Sequence, residues 1–236
     1  MKIIKLLAIA WMLYILSVFS LYAQTWSVNG IPDELLKDVH AVVRSDRTEF
    51  TVKDESTAVK RRTIVITVLD EHAGDADAFH CFTDSYIKLN SFSGELLDRN
   101  GKSIRKIKKS DLKFSDYFPG LASDSRQYYY SPAYASYPYT VKYEYETVYR
   151  NKTFAFPVFA PVTGYDVSVD NASYILTVPA GFQFHTRALN MDHTPEKTGA
   201  GNTDVYECSL RTYAGIKKEP YSPPIYSRVP HVYVTT

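Results

Sequence analysis

The sequence predicts an all-β protein, an antiparallel β-sandwich of immunoglobulin-like or larger two-sheet form with one or two short helices. Three observations carry this. Apolar residues recur mostly at every second position. Tyrosine is abundant (20) and glycine scarce (10) among the 236 residues, a bias toward side chains that pack half-buried on a pleated surface. Many short strand-like runs are separated by turn signals, with almost no helical periodicity, which argues for a sandwich rather than alternating βαβ units.

Taken in order, Pro32 to Val39 reads as a short helix. Glu49 to Lys53 alternates with Phe50 and Val52 inward. Thr63 to Leu69 is apolar on both faces, Ile64, Ile66 and Val68 opposing Val65 and Leu69, which predicts a strand in the middle of a sheet. Tyr86 to Asp98 is a further strand, closed by the turn signal Asn100-Gly101. A second helical turn is expected from Ser110 to Tyr117, with Ser110 as its N-cap. The clearest alternation runs from Tyr139 to Glu146: Tyr139, Val141, Tyr143 and Tyr145 share one face, and Thr140, Lys142, Glu144 and Glu146 the other. Tyr165 to Asp170 repeats the pattern, and strands are expected at Tyr174 to Val178, Phe182 to Arg187 and Asp204 to Leu210. Turn signals fall at Pro179-Ala180-Gly181 and Gly199-Ala200-Gly201-Asn202. The Pro-rich segment from about residue 219 resists ladder pairing, so the last dozen residues are expected to run as an extended strap or a terminal edge strand.

The N-terminus reads as an address. Lys2 and Lys5 precede an apolar run from Leu6 to Leu21 that ends in Tyr22-Ala23-Gln24, the basic, apolar, small-residue order of a secretory signal. Cleavage is expected after Ala23, leaving residues 24–236 as one sandwich domain. The run is about 16 residues against the roughly 17–25 that span a bilayer, so no stable membrane span is expected after cleavage, and the location expected is periplasmic or secreted. Cys81 and Cys208 would then meet an oxidising compartment. They either pair as a disulfide or sit apart as buried apolar thiols, and spacing does not choose between the two. Near-neutral charge, +1 from 27 bases and 26 acids, removes the footprint a general nucleic-acid binder needs.

The order of features resembles a family. Ile31-Pro32 is followed by Leu35-Leu36 and Ala41-Val42-Val43-Arg44, then Val65 to Leu69, then Gly94 to Lys102. Next come Ile107 to Leu112, Tyr137 to Tyr145, and Leu176 to Pro179. Each is a simple strand or turn pattern, but together they span nearly all of the chain after Ala23. In this order they resemble the domain of unknown function 3857, the N-terminal β-sandwich that precedes transglutaminase-like cysteine peptidase domains in secreted bacterial proteins. The resemblance implies a fold and a setting and transfers no catalytic residue. It implies a non-catalytic interaction or accessory module, with a transglutaminase-like peptidase or an envelope protein or glycan as partner. The alternatives are a truncated N-terminal part of a transglutaminase-like hydrolase, and an envelope carbohydrate-binding module.

His80 precedes Cys81 directly, and neighbours on a strand point to opposite faces, which argues against a catalytic dyad. Cys208 shares the face of Tyr206 and Leu210 and reads as core. Asp70, Glu71, His72, Asp75, Asp77 and His80 are the densest ligand cluster, yet they match no metal-ligand spacing. No catalytic residue, metal site or cofactor is expected. Lys102, Arg105, Lys106, Lys108, Lys109 and Lys113 read as a solvated edge guarded by lysines, or as a contact for an anionic glycan or lipid. The tyrosine group Tyr128, Tyr129, Tyr130, Tyr134 and Tyr137 is the candidate binding surface. In a strand Tyr128 and Tyr130 face one way and Tyr129 the other, so a ring is left for sugar stacking or a protein partner.

Overall fold

The computed structural model describes residues 26–116, 124–150 and 155–236. The segment read as a secretory signal and the end of the helical turn expected at Tyr117 lie outside them. Among the described residues thirteen strands form three sheets: β1 (Ala41–Val52), β2 (Ala58–Val68), β3 (Phe79–Thr83), β4 (Ile87–Leu97), β5 (Ser103–Lys108), β6 (Lys113–Asp116), β7 (Arg126–Tyr130), β8 (Tyr139–Tyr149), β9 (Val167–Pro179), β10 (His185–Leu189), β11 (Glu196–Gly199), β12 (Thr203–Tyr213) and β13 (His231–Thr235). The large sheet has the order β11-β12-β9-β1-β2-β8-β4-β5. The small ones are β3-β7-β6 and β10-β13.

The strand apolar on both faces lies at the centre of the large sheet, as its pattern requires. β2 pairs with β1 on one side and β8 on the other. All pairings are antiparallel except one: β1 and β9 run parallel, Ala41 beside Val167 and Thr51 beside Thr177. The large sheet is therefore two antiparallel blocks joined at a parallel seam. The two runs expected near 165–170 and 174–178 are one long strand, β9.

On the inner face the side chains form rows across the strands. One row runs Ala172, Asp46, Ile64, Tyr143, Gly94, Ile107, and the next Tyr174, Thr48, Arg62, Tyr145, Phe92. Gly94 is required by its row: a Cβ there would lie 2.9 Å from the Tyr143 ring and 3.1 Å from Ile107, so the two larger side chains close over it. The two small sheets cover this face. Phe79 of β3 packs on Phe92 at 4.6 Å, Tyr145 at 5.1 Å and Tyr143 at 5.6 Å between ring centroids. Val232 and Val234 of β13 join the same core as Tyr174 and Leu176.

The opposite face is capped at one end by the N-terminal segment. Ile31, Leu35 and Val39 cluster on Val42, and the Ser168 hydroxyl donates to the Leu35 carbonyl at 2.6 Å. The rest of that face is wet and carries cross-strand ion pairs such as Arg61 with Glu146 at 2.7 Å.

Both expected helices are corrected. In place of a helix over 32–39 there is one 3-10 turn, Asp33–Leu35, and the chain leaves helical geometry at Asp38, whose φ is +54°. In place of the helix from Ser110 there is a 3-10 turn at Lys109–Asp111, and the chain continues as β6. Its cap is not Ser110. The carboxylate of Asp111 accepts from the backbone N–H of Lys108 at 2.7 Å. The last residues, from 231 to 235, pair with β10, which starts three residues later and ends two later than the sequence pattern placed that strand.

Candidate functional site

β2 carries its apolar inward phase backward into Lys60 and Arg62, so two cations sit on the inner face of the sheet. Arg62 meets Asp46 of β1 in a bidentate pair: Nε donates to Oδ1 and an Nη to Oδ2, both at 2.8 Å. Asp46 is 5% exposed. Burial works against the charge of Arg62, while Asp46 and the Tyr145 hydroxyl favour it and hold its pKa above the ordinary value. Beside the pair opens a cavity of about 430 Å³. Arg62, Ile64, Tyr143 and Tyr145 line it from the sheet, and His80 and Tyr165 from the covering segments. Its size suits a small ligand, and its lining is mostly apolar, with Arg62 and Asp75 as its charged residues.

A second polar group closes the far side of Tyr143. Asp77 is 5% exposed. Its Oδ2 accepts from the Tyr139 hydroxyl at 2.8 Å, and its backbone carbonyl from the Tyr143 hydroxyl at 2.9 Å. Burial raises the Asp77 pKa above the ordinary 3.8, and the Tyr139 hydrogen bond offsets this only in part. A carboxyl with a raised native pKa gives stability that is full below the unfolded value and lost as pH rises through the native value. Asp77→Asn is therefore expected to gain stability relative to wild type as pH rises from about 3 to 7. Urea unfolding of both proteins across that range checks it, and a constant difference would overturn it.

The other ligand-type residues disperse. Asp70 binds His40 Nδ1 at 2.9 Å and caps the backbone of His72 at 2.8 Å. His80, on the outside of β3, meets Gln127 at 2.9 Å. Among the described residues no group of three or more His, Cys, Asp or Glu converges as a metal site.

Cys81 and Cys208 lie on β3 and β12, in different sheets, and both are free and buried. Burial raises both thiols, Cys208 to about 11, so neither is a thiolate at neutral pH. We expect no reaction of the native protein with a disulfide reagent at about pH 8, and two reactive thiols once it is unfolded without reductant. A count of zero after unfolding would mean that the cysteines are bridged.

The tyrosine group divides. Tyr128 and Tyr130 of β7 pair with Cys81 and Phe79 and lean on the core, while Tyr129 pairs with His80 and faces outward. All three are half-buried. Tyr134 packs edge-on against Tyr139 at 5.3 Å, and Tyr137 is 40% exposed. The open ring on that outer face is Phe82, 52% exposed. Of the basic run, Arg105, Lys106 and Lys108 lie on β5, the edge of the large sheet, Lys109 in the turn after it, Lys102 just before β5 and Lys113 at the start of β6. Two of its members are tethers: Arg105 donates to the Pro132 carbonyl at 2.9 Å and Lys109 to that of Leu89 at 2.6 Å. Sequence reasoning missed Arg62 and Asp46, and named Asp77 only as a member of the acidic cluster. The signal for Arg62 was present, because stepping back by two from Ile66 and Ile64 reaches it.

Residues 54–217, from just before β2 to just past β12, match a family model, the Domain of Unknown Function DUF3857. The chain belongs to that family. No curated protein matches it in sequence. Among solved structures, a protein from Parabacteroides distasonis described as a "putative protease" matches with a TM-score of 0.65 at 12% identity, over 84% of this chain and 40% of that one. The DUF3857 chain thus spans less than half the length of that neighbour, and the likeness shows a shared fold. An M1 zinc metallopeptidase from Deinococcus radiodurans (TM-score 0.35, 9% identity, 83% of this chain, 42% of that one) and leukotriene A4 hydrolase from Saccharomyces cerevisiae (0.36, 10%, 89% and 31%) are too remote to argue from. Among the described residues, no helix is long and apolar enough to cross a membrane.

Proposed function

We propose that this DUF3857 chain is an exported, non-catalytic accessory module that binds a partner. The observation that supports this reading is the match in fold to only 40% of a protein described as a protease: the fold there is one part of a larger machine, and a peptidase-type partner is the natural complement. The binding surface is the outer face of β3-β7-β6, where Phe82, Tyr129, His80 and Gln127 lie together. Aromatic rings beside hydrogen-bonding side chains suit a protein anchor or a sugar face.

The test uses the chain from Gln24 and a transglutaminase-like peptidase from the same genome. The chain alone should cleave no peptide substrate, and calorimetry should show saturable binding to the peptidase. Phe82→Ala with Tyr129→Ala should weaken that binding by at least ~10-fold, as truncation of a central anchor does. Peptide cleavage by the chain alone that Cys81→Ser or Cys208→Ser removes would overturn the non-catalytic reading. Unaltered binding by the double variant would remove the surface named here. A second reading, a fragment of a longer hydrolase, rests on the same partial coverage. An open frame carrying Cys, His and Asp in the DNA directly after Thr236 would favour it.

A further inference from the structure

The cavity beside the Asp46–Arg62 pair is lined by a charge of each sign, and the two stand at different ends of it. Its floor is the inner face of β2, from Arg62 through Ile64 to Ile66. From Arg62 to Ile66 is about 13 Å of strand. Arg62 lies at one end, in the row of Tyr145 and Phe92. Asp75 belongs to the segment that covers the other end. On one side of it Ala73 packs on Val68 and Tyr139, and on the other Asp77 accepts from the Tyr139 hydroxyl. Tyr139 pairs with Val68, two residues beyond Ile66. Between the charges the walls are aromatic, with Phe79, Tyr143 and Tyr145 on the core side. Asp75 and Thr163 are exposed members of the lining, so the cavity opens to solvent there.

Neither charged group is used up. Asp46 takes two of the N–H groups of Arg62, and three of its five remain. The Asp75 carboxylate makes no hydrogen bond or ion pair among the described residues; only its backbone carbonyl is engaged, by the N–H of Ala78 at 3.0 Å. A wholly apolar ligand would take water from the Arg62 donors and return nothing. A simple anion would face Asp75 with Arg62 already balanced by Asp46, and a simple cation would leave the guanidinium donors unanswered. A ligand with an ammonium at one end, a carboxylate at the other and an apolar body between them matches both charges and the rings. A free amino acid carries both charges on one carbon and does not reach from end to end. An extended peptide advances about 3.3–3.6 Å per residue, so three residues span roughly 10 Å, and the Arg62 and Asp75 side chains close the remainder. We propose that this cavity binds a short peptide with free termini, about three residues long, its carboxylate on Arg62, its ammonium at Asp75 and an apolar side chain among the rings. The site is distinct from the outer face of β3-β7-β6, since neither Phe82 nor Tyr129 lines it.

Calorimetric titration of the chain from Gln24 with the tripeptide alanyl-leucyl-alanine tests this. Binding should saturate at one peptide per chain. Acetylating the peptide's amine and amidating its carboxylate should each weaken it by roughly tenfold or more. Asp75→Asn, a change at an exposed position with little effect on stability, should weaken the free tripeptide by a similar factor and leave the acetylated one unchanged. Asp46→Leu with Arg62→Met, which strands no charge, should bind the free and the amidated carboxyl ends equally. Absence of saturable binding to wild type, or termini that are blocked without loss, overturns the proposal. So does an Asp75→Asn variant that loses the free and the acetylated peptide alike. Free leucine binding as tightly as the tripeptide overturns the assignment to a peptide. None of these outcomes bears on partner binding at the outer face, which Phe82→Ala with Tyr129→Ala tests separately.

Discussion

Asp46→Asn will destabilise the fold by about 3 kcal/mol, the low end of the range for removing one partner of a buried ion pair. Arg62 cannot shed its proton. With Asp46 gone its guanidinium stays charged on the inner face, keeping only the Tyr145 hydroxyl and the cavity as surroundings. The low end applies because the Arg62 side chain is 27% exposed, against 6% for that of Asp46, so the stranded cation retains some solvent. Replacing both members, Asp46→Leu with Arg62→Met, should bring stability back to within about 1 kcal/mol of wild type, since no charge is then left unpaired. Urea titration of the two proteins decides it. If the single variant matches wild type, the pair contributes nothing; if the double variant is worse than the single, packing rather than charge holds this region.

Phe79→Ala should cost as much or more, about 3–5 kcal/mol. Phe79 is 3% exposed and touches three rings of the large sheet. Phe79 is the principal rivet between the three-stranded sheet and the face below it. The void it leaves borders the existing cavity, so relaxation around it is limited. The loss should be unevenly spread. Amides of β3, β7 and β6 should exchange hydrogen far faster, while those in the β1–β2 ladder keep more of their protection. Uniform acceleration across all strands would show that the small sheet is not a separate unit, and a loss below about 1 kcal/mol would show that Phe79 is not what fastens it.

How much of this was legible depends on whether the information is local. The alternation of Tyr139 to Tyr145 and the two-sided apolarity of Thr63 to Leu69 are properties of the strands themselves, and both strands sit where those patterns require. The parallel seam was not legible, because nothing near residue 41 or residue 167 specifies a partner so far along the chain. The Asp46–Arg62 pair was half legible. The phase of β2 places Arg62 inward, but β1 carries a bulge between Val43 and Ser45 that shifts its phase. Ala41 and Val43 face the core before it, and Asp46, Phe50 and Val52 after it. Reading β1 forward from Ala41 and Val43 without the bulge sends Asp46 to solvent, whereas stepping back by two from Phe50 and Val52 reaches it, and the two phases conflict until the bulge is known. The short helices failed for a different reason. Asp33 to Leu35 and Lys109 to Asp111 carry helix-start chemistry, yet each is followed at once by residues committed to strands or to a left-handed turn.

The parallel seam has a consequence for how the chain must fold. β1 is made early, and one of its two edges stays bare until β9, residues 167–179, has been made and docked. Closure of a contact so distant in sequence carries a large entropic cost before it returns any stabilisation, so the sheet should assemble slowly. Until then Ala41, Val42 and Val43 present an apolar strand edge of the kind that recruits other chains. Any piece of this protein that stops short of Val167 keeps that edge permanently, and should aggregate.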